Sequence, residues 1–410
     1  MSKPWSALTR RTAVIGALTL AFLTGARADD TIRIGVPLEL SGRFVDYGVP
    51  AQRGVQMAAE AFNNTVLGKK VEFVFRDIQS NPQTAASVMN ELVNQLKLRY
   101  LIGPISSQNI ESMIPIWVQD QDRPLWTGCN PTNPEVEKVV GIYPNYFHTF
   151  PYAYDYQKAL AATAQHYLGS GKKVAIVYVD DIYGREHLKY AHQYLEEAKE
   201  TIVAEELVRT NSTDFSATLI KVKRAKPDLA LAIMQTNDAI NFARQAYALK
   251  LGVPYVFGLV APGYAQWQQA VGPAQEGWVG LSPYLPNTIT QAADPKYPKI
   301  FPSMKDWEDA VRSRFHVEPD YLTAEYYSVT ALLLLSMQEA GTDDMAKVQT
   351  VMQNLHVDTP FGKADFKPTG NGTINQSFND MLVFQRRDNK NVLLWPLDKS
   401  EGDKLEPMKQ

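Results

Sequence analysis

A chain of 410 residues, 45% hydrophobic and 21% charged, is able to bury a sizeable core, which excludes a disordered or coiled-coil protein. Lys and Arg number 41 against 44 Asp and Glu, a formal charge of −3, so no basic excess invites nucleic acid or anionic lipid. Cys129 stands alone, which excludes an internal disulfide framework and a cysteine-rich zinc site.

The first residues read as an address. Lys3, Arg10 and Arg11 precede an uncharged stretch from Thr12 to Ala26, and Ala26-Arg27-Ala28 forms a small-x-small cleavage site. Residues 1–28 are therefore expected to be a signal peptide, with the mature chain starting at Asp29. The apolar run of about 14 residues falls short of the roughly 20 that cross a bilayer. Thr9-Arg10-Arg11 resembles a twin-arginine export signal, although Ala13 replaces the usual bulky residue; ordinary secretion is the alternative. No cysteine lies at the cleavage site, which argues against a lipid anchor. Loss of Lys3, Arg10, Arg11 and Arg27 takes the charge from −3 to −7. A soluble, acidic, exported protein is the expectation.

Beyond Asp29, short β-branched runs alternate with longer amphipathic stretches, the pattern of βα units in a parallel sheet. The expected elements are a strand at 32–38, a helix at 49–63, a strand at 71–75, a helix from Asn81-Pro82 to about Leu96, and strands at 100–102 and 124–126. A second set follows Gly169: strands at 174–179, 202–207, 229–234 and 255–257, with helices at 186–200, 215–225 and 239–249 between them. Prolines 283, 286, 295, 298 and 302 then interrupt the chain before helices at 307–315 and 322–341. That is too little for a third domain, so these helices are expected to pack back onto an existing lobe. The expected division is 29–149 with 285–355, and 150–284 with 356–410.

Four stretches now carry a resemblance: Ile34 to Gly42 with Tyr47-Gly48, Ile102 to Ser107, Pro131 to Pro134, and Asp181-Ile182-Tyr183-Gly184. In this order the chain resembles the branched-chain amino-acid-binding (Leu/Ile/Val-binding) family of type I periplasmic solute-binding proteins of ABC importers. Phe361 to Phe366 is similar to that family's closing strand. The resemblance implies two Rossmann-like α/β lobes with parallel central sheets, joined by three crossovers near Phe150, Leu285 and His356, that close over a small organic solute. It also implies a periplasmic protein that meets an inner-membrane permease, works as a monomer, and needs no cofactor, metal or nucleic acid.

The residues themselves fit a ligand crevice. Gly42, Gly48, Ser106, Ser107, Pro131 and Thr132 all follow expected parallel strands, where an α/β sheet opens its crevice. Ser106-Ser107 before a helix at 109–119 would meet unpaired N–H groups and a positive dipole end suited to a carboxylate, and a plain serine cap is the bland alternative. In the family, the residues matching Ser107 and Thr132 hold the ligand carboxylate, and Tyr47, Tyr183 and Tyr321 match cleft positions. Of Tyr152, Tyr154 and Tyr156 near the first crossover, one is expected to reach the ligand, Tyr152 being chosen, while the others pack as linker.

The matching position for the family's ammonium-binding acid is Val260, and the neighbouring Thr236 and Asn237 are neutral too. An ammonium closed into a cleft without a counter-charge costs several kcal/mol. A zwitterionic amino acid is therefore disfavoured, and a small carboxylate with an apolar or aromatic tail, or a neutral amide, fits better. Asp46 and Asp181 are the acids nearest in sequence that would have to serve otherwise.

Catalysis leaves no trace in the sequence: no Gly-x-Ser-x-Gly elbow and no His-Glu-x-x-His occur, and His187 and His192 do not share a helical face. Gly169 to Lys173 precedes a strand and reads as a turn, and Asp180-Asp181 as a helix cap. A solute receptor feeding an ABC importer is the expected function, with a sensory receptor for a small amide as the alternative.

Overall fold

A computed structural model describes residues 31–409 apart from Ile289, so the expected signal peptide lies outside the described residues. The first sheet gathers β1 (Thr31–Leu38), β2 (Thr65–Val66), β3 (Lys69–Asp77), β4 (Tyr100–Ile102), β5 (Leu125–Cys129) and β6 (Tyr146–His148). Their order is β2-β3-β1-β4-β5-β6, parallel except for the β2–β3 hairpin. Helices α1 (Val45–Ala61), α2 (Pro82–Asn90), α3 (Ser107–Gln119) and the single turn α4 (Pro134–Glu137) connect them. Asn81 caps α2 by accepting from the Thr84 N–H at 3.0 Å, with Pro82 in the first turn where its missing N–H costs nothing.

After α5 (Ala153–Leu168) the chain builds a second sheet from β7 (Lys173–Val179), β8 (Thr201–Val208), β9 (Leu229–Ile233), β10 (Tyr255–Gly258) and β11 (Val279–Ser282). The intervening helices are α6 (Ile182–Glu197), α7 (Ser216–Ala225), α8 (Thr236–Ala248) and α9 (Ala265–Val271). All five residues of β9, Leu-Ala-Leu-Ala-Ile, are buried, as a strand covered by helices on both faces must be. The chain then returns through α10 (Met304–Phe315), α11 (Tyr321–Ala340) and α12 (Met345–Gln353). Helix α11 is buried continuously from Tyr321 to Met337, which explains why its apolar residues do not fall into a single stripe. It packs on α1 so closely that a Cβ at Gly54 would lie 2.5 Å from the Thr323 carbonyl oxygen.

Two features depart from the sequence reading. The short antiparallel ladder β12 (His356–Thr359) and β13 (Gly362–Asp365) is followed by a segment expected with the second lobe. That segment lines the free edge of the first sheet instead: the His148 N–H donates to the Asn375 carbonyl at 2.9 Å, and the Ser377 N–H to the His148 carbonyl at 3.1 Å. The last crossover therefore follows Ser377 rather than lying near His356. Only then do β14 (Leu382–Arg387) and β15 (Lys390–Trp395) extend the second sheet, antiparallel, in the order β15-β14-β11-β10-β9-β7-β8.

Tyr152 is the N-cap of α5, and Tyr154 and Tyr156, expected to pack as linker, lie in its first turns. The Asp155 carboxylate accepts the Tyr152 N–H at 2.9 Å, closing the first turn. Burial pushes the Asp155 carboxyl up to about 7, against the lowering influence of that hydrogen bond. Its value in the folded chain thus exceeds that of an unfolded Asp, so the fold holds the proton longer, and Asp155 should make stability fall as pH rises from about 4 to about 7. Asp155→Asn keeps an acceptor for the cap and should flatten this part of the profile in urea unfolding at pH 4, 5.5 and 7. An unchanged slope would show that other groups set it.

Candidate functional site

The carboxyl ends of the two sheets share one cavity of about 60 Å³. From the first lobe come Phe44 and Tyr47 after β1, Ile105, Ser106 and Ser107 after β4, and Asn130 and Thr132 after β5. The second lobe supplies Tyr183 after β7, Gln235 after β9 and Val260 after β10. Phe150 and Tyr156 at the first crossover and Tyr321 at the start of α11 complete the wall.

Six of the thirteen wall residues are aromatic, and none is Asp, Glu, Lys, Arg or His. Burial holds the hydroxyls of Tyr156, Tyr183 and Tyr321 well above the usual tyrosine value, so they meet a solute as neutral donors or acceptors. Tyr264 stands behind, its ring 5.7 Å from that of Tyr47 and 5.3 Å from that of Tyr321. His187 backs Tyr183 at 4.3 Å between ring centres, and burial pushes its imidazole down to about 3, leaving it neutral.

Four polar atoms among these residues are buried and without a partner: Ser106 Oγ, Asn130 Oδ1, Thr132 Oγ1 and Gln235 Oε1. Unpaired buried polar atoms are costly, and their convergence on one cavity is what a site awaiting a polar solute looks like. The amino end of α3 is partly satisfied from within. The fully buried Glu39 accepts from the Ile105 N–H at 3.2 Å, the Ser106 N–H at 3.0 Å and Asn109 Nδ2 at 2.9 Å. Glu39 thereby fixes the turn that carries both serines.

Contacts across the crevice hold the lobes together around the cavity. The Tyr47 hydroxyl lies 2.8 Å from Thr236 Oγ1 and accepts the Thr236 N–H at 3.1 Å. Arg43 donates to Asp181 at 3.2 Å and to Asp238 at 3.3 Å, and Gln266 donates to Asp46 at 2.9 Å.

Of the residues expected at the site, Tyr47, Ser106, Ser107, Thr132, Tyr183, Val260 and Tyr321 line this cavity. Thr236 and Asn237 line a smaller recess beside it. Pro131 is buried but lies off the wall. Tyr152 faces away: its hydroxyl bonds to Glu137 and to Thr373, and its ring stacks on His148 at 4.1 Å. Tyr156, one helical turn on, takes the place expected of it. Asp46 and Asp181 are engaged elsewhere, Asp181 also capping α6 through the Gly184 N–H at 2.8 Å. Phe44, Ile105, Asn130, Phe150 and Gln235 went unread. Asn130 and Gln235 carried the same signal as Thr132, a polar residue directly after a parallel strand. Among the described residues no group of three His, Cys, Asp or Glu assembles as a metal site, and no helix is long and apolar enough to cross a membrane.

The family model described as periplasmic binding protein matches residues 31–390. A leucine-, isoleucine-, valine-, threonine- and alanine-binding protein of Pseudomonas aeruginosa is 23% identical over 377 residues, covering 88% of this chain and 92% of that protein. Among solved structures, a branched-chain amino acid transporter substrate-binding protein from Streptococcus pneumoniae in complex with isoleucine superposes with a TM-score of 0.74 at 20% identity, over 88% of this chain and 97% of that one. A solute-binding protein of an ABC transporter from R. palustris, in complex with benzoate, gives a TM-score of 0.74 at 19% identity, over 93% and 100%.

Proposed function

The chain belongs to the periplasmic binding protein family, and on that premise we propose that it captures a small organic solute between its lobes and delivers it to the permease of an ABC importer. The solute is a carboxylate or neutral amide on an apolar or aromatic body. One observation carries this reading: a cavity between the lobes, rich in aromatic side chains and without an ionised wall residue, whose lining residues Ser106 and Thr132 carry buried, unpartnered hydroxyls. Isoleucine and benzoate, the ligands of the two solved structures, share a carboxylate on an apolar body. They differ in the ammonium, and Val260 offers that group no counter-charge here.

A thermal-shift and calorimetry series with benzoate, benzamide, short aliphatic acids and leucine tests the assignment. A solute at 100 times its Kd should stabilise the protein by about 2.7 kcal/mol. Acids or amides should do so and leucine should not; tight leucine binding would sink the reading. Ser107→Ala and Thr132→Ala should each weaken the preferred solute by about 1 to 3 kcal/mol, the cost of losing a hydrogen bond to a polar or charged group. Unchanged affinity in both variants would remove those hydroxyls from the site.

Capture also requires the lobes to part. Small-angle scattering should therefore give a smaller radius of gyration with saturating solute than without it. Equal radii would argue against a hinge.

A further inference from the structure

The second turn of α11 contains an acid within the buried part of the helix. Glu325 is fully buried, flanked in sequence by Ala324 and Tyr326, and receives two hydrogen bonds: Asn130 Nδ2 at 2.7 Å and the Thr149 hydroxyl at 3.0 Å. Asn130 lies between Glu325 and the cavity. Its Nδ2 faces the carboxylate and its Oδ1 is the unpartnered acceptor of the cavity wall. A carboxylate only accepts hydrogen bonds, so an ionised Glu325 requires the amide N–H on its own side and turns the amide oxygen toward the solute.

We propose that Glu325 is a positioning residue that sets the hydrogen-bonding sense of the solute cavity: by holding the Asn130 amide N–H it presents the Asn130 carbonyl oxygen, which selects a solute bringing an N–H donor. The inference rests on the reading of the cavity as a solute site and narrows it. An amide gives its carbonyl to the hydroxyl donors Ser106 and Thr132 and its N–H to Asn130. A carboxylate of the same shape sets an anionic oxygen against the Asn130 carbonyl and leaves that acceptor unpaired.

The same arrangement is sensitive to protons. Burial holds the Glu325 carboxyl well above the usual carboxylate range, with the Thr149 and Asn130 bonds acting against it. The titratable groups that feel its charge are the hydroxyls of Tyr156 on α5 and Tyr321 on α11, both themselves raised by burial, and among the described residues no cation offsets it. Once protonated, Glu325 becomes a donor as well, and an Asn130 turned over then offers its NH2 group to the solute. Amide preference should thus strengthen as pH rises and Glu325 ionises, and give way to carboxylate preference as pH falls.

Benzamide and benzoate, equal in shape, are the probes. Calorimetry on the intact protein between about pH 5.5 and 8.5, where benzoate stays ionised, should give a benzamide-to-benzoate affinity ratio that rises with pH, toward a difference of about ten-fold as Glu325 ionises. In Glu325→Gln the ratio should be flat with pH and lie near the low-pH value of the unaltered protein. The pH profile of the unaltered protein needs no variant to fold. A profile already flat there, or one that Glu325→Gln leaves in place, would overturn the role of Glu325 while leaving the solute class standing. Binding of neither compound would overturn the solute class and this inference with it.

Discussion

Val260→Glu should abolish binding of the present solute class. Val260 is 6% exposed and faces a cavity that contains no cation. A carboxylate placed there is tolerable while the lobes are open, because water solvates it, and is stranded when they close. Breaking even with that penalty would consume several kcal/mol of closure energy, so affinity for an acid or amide should fall by at least about 3 kcal/mol, more than 100-fold. Leucine should gain, because its ammonium brings the missing partner. Calorimetry with leucine and with the preferred solute of the unaltered protein reads both arms. Retained affinity for the original solute would place it away from Val260.

Gly48→Ala should unfold the protein far more readily. A Cβ there would lie 2.0 Å from the Glu39 carbonyl oxygen and 2.5 Å from its carbon. Backbone meets backbone, so no rotamer change relieves the clash, and α1 and the end of β1 must separate. The expected loss is about 3 kcal/mol or more, at the upper end of overpacking. Solute affinity should fall as well, because the same Glu39 ties down the turn bearing Ser106 and Ser107. Gly370→Ala, where a Cβ meets nothing within 4 Å, is the control and should stay within about 0.5 kcal/mol in urea unfolding. Equal stability of the two variants would show that α1 shifts without cost.

The alternating lobes were legible because buried parallel strands spell themselves as apolar runs, and the crevice because such sheets open at their carboxyl ends. Ser106, Ser107 and Thr132 followed from that rule. Tyr152 against Tyr156 did not: whether a tyrosine near a crossover turns to the cavity or to Glu137 depends on where α5 starts, which the Asp155 cap decides. The strands β14 and β15 and the edge segment up to Ser377 escaped for a related reason. A short stretch pairs with whichever sheet edge the preceding chain brings it to, and that is settled by tertiary contacts. Glu325 was the most readable omission, an acid near the start of the long helix α11, just ahead of its apolar run.

The bond between Tyr47 and Thr236 joins the lobes and also finishes a helix. Gln235, at the cap position of α8, supplies no side-chain hydrogen bond, and the first N–H of the helix, that of Thr236, is accepted by the hydroxyl of Tyr47 from the opposite lobe. The helix is thus capped in trans. Parting the lobes returns that N–H to water and gives up a contribution of the order of 1 kcal/mol, typical of a helix cap. Fraying of α8 and opening of the crevice become one event, so a solute that never touches this helix still steadies its first turn. Amide hydrogen exchange at Thr236 becomes a local gauge of how much of the receptor is shut.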